Sequence, residues 1–197
     1  MSSKNEHRAV KKREKKRQKR RDAQEKRGSR KVLGMAADRI EQAQRWPMSD
    51  CWASDNWHEQ GATVNVCFTR RHEDGRMAAA LFTIDLAEKG VIQVTADAPL
   101  TLADIHSQLA KRGADGNAML EVEPSLVVKL VDTGRDFGVK QGHVQPSGLK
   151  RARKLFAGIR GSKSSYDIAT GPYDPSKPKV APPSEGLLTG LKKRLFG

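Results

Sequence analysis

Nine of the eleven residues from Lys11 to Arg21, KKREKKRQKRR, are Lys or Arg. Cations packed this densely displace condensed counterions from a phosphate backbone, a source of affinity that needs no reading of base sequence. Lys11, Lys12, Arg13, Lys15, Lys16, Arg17, Lys19, Arg20 and Arg21 are therefore the leading candidates for nucleic-acid contact. A second group lies between Phe137 and Tyr166, where Lys140, Lys150, Arg151, Arg153, Lys154, Arg160 and Lys163 occur without one acidic residue. Of these, Lys150, Arg151, Arg153 and Lys154 are expected to contact phosphate from a helix near residues 147–160. The plainer alternatives are a solubilising tail or an import signal for the first group and a solvated helix face for the second.

Other chemistry is less well provided for. Cys51, Cys67, His58 and His72 have the ligand types of a zinc site, but no close cysteine pair opens a knuckle and Cys67 falls in an apolar run, so no metal is expected. The acids and bases Asp85, Glu88, Asp132, Asp136, His106 and His143 match no hydrolase or nucleophile spacing, and Gly138, Gly142 and Gly148 are not followed by the Lys-Ser/Thr of a phosphate loop. Neither a cofactor nor catalysis is expected. Trp52 and Trp57, around Asp55 and before Glu59 and Gly61, read as a packed lid rather than a ligand box.

The distribution of charge separates binding from folding. Residues 1–31 hold 15 Lys/Arg against 4 Asp/Glu, a net of +11, while 32–185 hold 19 of each sign and Lys192, Lys193 and Arg194 add +3 at the end. A neutral body with cationic ends assigns the two tasks to different segments. With two cysteines in 197 residues, disulfides are not the framework, and a reducing, cytoplasmic setting is expected. No run approaches the roughly 18 apolar residues of a membrane span, so no membrane partner is expected.

The elements that would position these groups follow from periodicity. Residues 1–31 form a basic arm with good helix formers but no apolar face, disordered alone and helical against a partner. As a helix, residues 4–27 would reach roughly 35 Å. A docking helix over 32–47 is read from Val32, Leu33, Met35, Ala36, Ala37, Ile40, Ala43 and Trp46, with Pro47 ending it. An α+β domain over 48–170 follows, a small antiparallel sheet with packed helices. Its hairpin joins residues 62–72 to 77–86 through Asp74-Gly75, with a third strand at 91–94. Helices are predicted from Thr101 to Gly113, with Thr101 and Asp104 forming the cap, from about Glu123 to Asp136, with Leu126, Val127, Leu130, Val131 and Phe137 on one face, and near 147–160. A Pro-rich linker over 171–185 leads to a short basic amphipathic helix at 186–197, built on Leu187, Leu188, Leu191 and Leu195.

The motifs Cys51-Trp52, Trp57-His58-Glu59-Gln60-Gly61, Arg70-Arg71 with Gly75, and Phe82-Thr83-Ile84-Asp85 with Gly90-Val91 resemble a family of uncharacterised bacterial proteins. Its members also open with a Lys/Arg-rich segment. Asp136-Phe137-Gly138-Val139 with Gln141-Gly142-His143 approximates the family's later Gly-Phe-x-Pro-His stretch but lacks the proline. The resemblance spans about 90 central residues and implies a fold, with no activity attached.

The sequence thus points to a non-enzymatic, RNA-binding protein, with RNA favoured over DNA because no DNA-reading module is present. Ribosomal RNA, in or beside the ribosome, is the favoured target. The alternative from another class is a protein-interaction adaptor whose Leu187, Leu188, Leu191 and Leu195 enter a partner's groove, and the third is an enzyme with a closed polar pocket near the hairpin and the 123–143 helix.

Overall fold

The alternating run Val64, Val66, Phe68 places those three side chains on one face of a strand, and the apolar run that follows Gly75 folds back beside it. In the computed structural model, which describes residues 18–19, 38–113 and 116–175, these are β2 (Thr63–Arg71) and β3 (Met77–Asp85), paired from Thr63–Asp85 to Arg71–Met77. The turn between them is closed by Gly75 at φ +86°, which a side chain would strain. β1 (Cys51–Ser54), β4 (Gly90–Leu100) and β5 (Met119–Val122) complete an antiparallel sheet in the order β4-β3-β2-β1-β5. The structure is α+β, a small antiparallel sheet with packed helices.

Helices cover both faces. On one, α1 (Leu102–Gly113) lays Ile105 and Leu109 over Cys67, Met77, Ala79 and Leu81. Its start is the predicted cap: Asp104 Oδ2 accepts from Thr101 N at 2.8 Å, and Asp104 N donates to Thr101 Oγ1 at 3.2 Å. The bond from the Thr101 backbone, with a second that Thr101 Oγ1 donates to the same Asp104 oxygen at 2.7 Å, holds the Asp104 carboxyl below its usual range. On the other face, α2 (Pro124–Lys140) buries Leu126, Val127, Val128, Leu130 and Val131, starting on a proline whose missing N–H costs a helix nothing there. This larger core also takes in Val64, Val66, Phe68, Phe82, Ile84, Leu149, Ala152, Leu155 and Phe156. Of the two units into which the chain divides, this fold belongs to the second, Ile40–Gly197. In the second, residues 40–43 are helical and bury Ile40 and Ala43 in that same core.

Several expectations need correction. The helix foreseen over 147–160 is one turn, α3 (Leu149–Ala152), continued as a 3-10 turn over Arg153–Phe156 and ended at Gly158, where φ is +83°. The third strand extends from 91–94 to Gly90–Leu100; it is an edge strand, where Pro99 removes no ladder bond from a central position. α2 runs on to Lys140, and β1 and β5 were not foreseen. The two tryptophans do not make one lid. Trp57 is buried in the α2 core, edge-on to Tyr166 at 5.0 Å, while Trp52 packs with the α1 cluster. The arm at 1–31 apart from Gln18 and Lys19, the docking helix before Asp38, and the terminal segment from Ser176 lie outside the described residues.

α2 crosses the β3–β4 turn on glycine. A Cβ at Gly138 would stand 2.5 Å from the Lys89 carbonyl oxygen and 3.0 Å from Gln145 Nε2, and one at Gly134 would collide with Ile84. Alanine's better helix propensity offers about 1 kcal/mol, against about 1–3 kcal/mol for overpacking a contact made with backbone. Gly138→Ala is accordingly expected to lower the urea unfolding midpoint by an amount equivalent to about 0–2 kcal/mol. A rise in midpoint would show that the crossing is looser than described.

Candidate nucleic-acid interface

Of the nine arm cations proposed as contacts, Lys19 alone is described, helical and exposed; Lys11, Lys12, Arg13, Lys15, Lys16, Arg17, Arg20 and Arg21 lie outside the described residues. The second group is placed in full. From Gln145 to Ser164 the chain runs back alongside α2: Gln145 lies near Gly138, Arg153 bonds Asp132, and Ser164 O accepts from Lys129 Nζ at 3.2 Å. Leu149, Ala152, Leu155 and Phe156 anchor this return segment, with the Phe156 ring edge-on to Phe68 at 5.0 Å. Between these anchors Lys150 is exposed, while Arg151, Arg153 and Lys154 are half-buried, and Arg151 Nε and Arg153 Nε are buried without a hydrogen-bond partner among the described residues.

They are not equally available. Arg153 Nη2 lies 2.7 Å from Asp132 Oδ1, an oxygen that also faces Arg135 Nη1 at 3.5 Å. Lys154 Nζ meets Glu41 Oε1 at 2.9 Å. Ion pairs this open contribute about 0–1 kcal/mol, too little to keep a phosphate out but enough to cancel local charge. Among the described residues, Lys150 and Arg151 have no ion-pair partner, and the same holds for exposed Arg160 and Lys163 further along. The last two were not among the proposed contacts. The absence of acid from 137–166 was the signal that could have included them.

Arg70, half of the conspicuous Arg70-Arg71 pair, is not part of any surface. It is buried, and its guanidinium donates to Leu155 O and Trp46 O, each at 2.6 Å, and to Ala157 O. These carbonyls end two helical segments, so one fork of donors caps both. Arg71, by contrast, is exposed.

The other chemical candidates disperse. Cys51 packs in the α2 core and Cys67 in the α1 cluster, so the thiols face opposite sides of the sheet and can share neither a disulfide nor a metal. No cluster of three or more metal-ligating side chains occurs among the described residues. Burial pushes the Cys51 thiol up to about 12 and raises that of Cys67 as well. Neither should react with a chromogenic disulfide reagent in the folded chain, and both should react in denaturant; rapid native labelling of either would contradict this packing. Asp85 receives the backbone N–H groups of Ala87 and Glu88 in the β3–β4 turn, at 2.9 and 3.2 Å. Asp132 and Asp136 are held by arginines.

One cleft borders the acid-free stretch. Thr133, Asp136, Phe137, Lys140 and Gln141 of α2 and its end line an open hollow of about 410 Å³ that Thr170 closes from the other side. Asp136 Oδ1 is occupied by Arg135, at 2.8 Å from Nε and 2.7 Å from Nη2. Among the described residues no helix is long and apolar enough to cross a membrane. Compared with protein-family models, curated proteins and solved structures, the chain matches none.

Proposed function

We propose that this chain binds nucleic acid, with structured RNA, ribosomal RNA foremost, as its target. The observation that carries the reading is the segregation of charge: +11 in the first 31 residues ahead of a body that is neutral from 32 to 185. A chain that needed only solubility could spread its cations, whereas a concentrated run matches the linear charge of a phosphate backbone. The return segment supplies a second, weaker contact through Lys150, Arg151, Arg160 and Lys163, with Arg153 and Lys154 able to exchange carboxylate for phosphate at little cost. Recognition by this route is of backbone and shape, with no fixed base sequence.

Co-purification from native lysate at low salt tests the proposal, with one half treated with nuclease and the other washed in high salt. RNA recovered with the chain and lost on both treatments supports it. A protein that stays bound through both would instead favour the adaptor built on Leu187, Leu188, Leu191 and Leu195.

A further inference from the structure

Phe137 sits at a helical position that continues the buried face of Leu126, Leu130 and Val131, yet it belongs to neither hydrophobic cluster. It is half-buried and meets no other aromatic ring among the described residues. Its ring instead lines the cleft on α2. A phenyl group left out of an available core and edged by polar groups resembles a stacking platform more than a packing element.

The rest of the lining suits a nucleobase. Lys140 supplies a cation beside the ring; Asp136 supplies an acceptor, since Oδ2 has no hydrogen-bond partner among the described residues; Gln141 supplies both donor and acceptor, and Thr133 and Thr170 add hydroxyls. A volume of about 410 Å³ is in the range of small-ligand pockets, and its open mouth admits a base still attached to its strand. A duplex cannot use such a site, because its bases are stacked on one another and the cleft takes one flat ring. Lys140 is also the first cation of the acid-free stretch; Gly161, between Arg160 and Lys163, packs on Lys129, eleven residues back along α2, so those cations would meet phosphates further along the strand than the ones flanking a docked base.

Resting on the nucleic-acid reading, we infer that this cleft is a subsite for a single unpaired nucleobase, stacked on Phe137, of the kind that loops and bulges of structured RNA expose. The arm supplies affinity for any RNA; the cleft adds a preference for unpaired positions.

The test uses the full chain with two labelled RNAs, a hairpin with an open loop and a blunt duplex of the same stem. Phe137→Ala is expected to weaken hairpin binding by about 5- to 100-fold, the range for losing one base–aromatic stack, and to leave duplex binding unchanged. Phe137→Trp should restore the hairpin preference. In parallel, a photoreactive base in the loop of the hairpin should crosslink wild-type chain within residues 133–141, a readout that does not depend on any variant folding. Equal hairpin affinity for wild type and a folded Phe137→Ala chain, or crosslinks confined to residues 1–31, would overturn the cleft assignment while leaving the broader function standing. Failure of the wild type to bind either RNA would overturn both.

Discussion

Replacing Arg70 by methionine is expected to destabilise the folded domain by about 3–5 kcal/mol, the lower half of the range for stranding three buried acceptors at about 1–3 kcal/mol each. The reason lies in what is left behind. Methionine fills much of the space of the arginine stem, but Leu155 O, Trp46 O and Ala157 O then lose their donor together. Each stranded carbonyl at a helical end costs about 1–3 kcal/mol unless water reaches it, and Arg70 itself is 6% exposed, so water has little access. Arg70→Lys should recover only part of the loss, because one ammonium on a flexible stem cannot reproduce a planar fork aimed at three acceptors. Urea unfolding followed by circular dichroism gives the free energies. A loss below about 1 kcal/mol for the methionine variant would mean that the carbonyls are resolvated and that Arg70 does not tie the two helical ends to β2.

The same residue shows where sequence stops being informative. Arg70-Arg71 reads as one basic pair, and only the tertiary arrangement sends the first side chain inward to two helical ends while leaving the second outside. Elements with a signal along the chain were legible: the β2–β3 hairpin from alternation and Asp74-Gly75, α1 from the Thr101–Asp104 cap, and α2 from its apolar stripe. β1 and β5 were not, because four residues such as CWAS or MLEV carry too short a pattern and take their register from one another, Cys51 opposite Val122 and Ser54 opposite Met119. The helix after Pro146 was overextended because Leu149, Ala152, Leu155, Phe156 and Ile159 satisfy a helical period even when a 3-10 turn and Gly158 interrupt it. For the site, the cations of 150–154 could be named from the sequence, but not that Arg153 and Lys154 spend charge on Asp132 and Glu41. Periodicity assigned Phe137 to the core; the cleft depends on the tertiary placement that brings Thr170 beside the end of α2.

Deleting residues 1–31 is expected to lower affinity for RNA by about a hundredfold or more at low salt and to flatten its salt dependence. Each phosphate neutralised contributes roughly 0.7 to 0.9 to the slope of log affinity against log salt, and a protein making 6–10 such contacts loses about 10³–10⁵ in affinity between 50 and 200 mM salt. The arm carries 15 Lys/Arg, enough for contacts of that number even if a third of them point away, whereas the return segment offers exposed Lys150, Arg160 and Lys163 and half-buried Arg151. Removal of the arm should therefore take away more than half of the slope and leave a shallow remainder belonging to the folded body. Replacing those four body cations by glutamine in the full chain should do the reverse, trimming the slope by about 3 units while most of the affinity persists. Salt titrations of binding for the three chains decide the matter. A truncated chain with the parent's slope would place the phosphate contacts on the body and remove the arm from the mechanism.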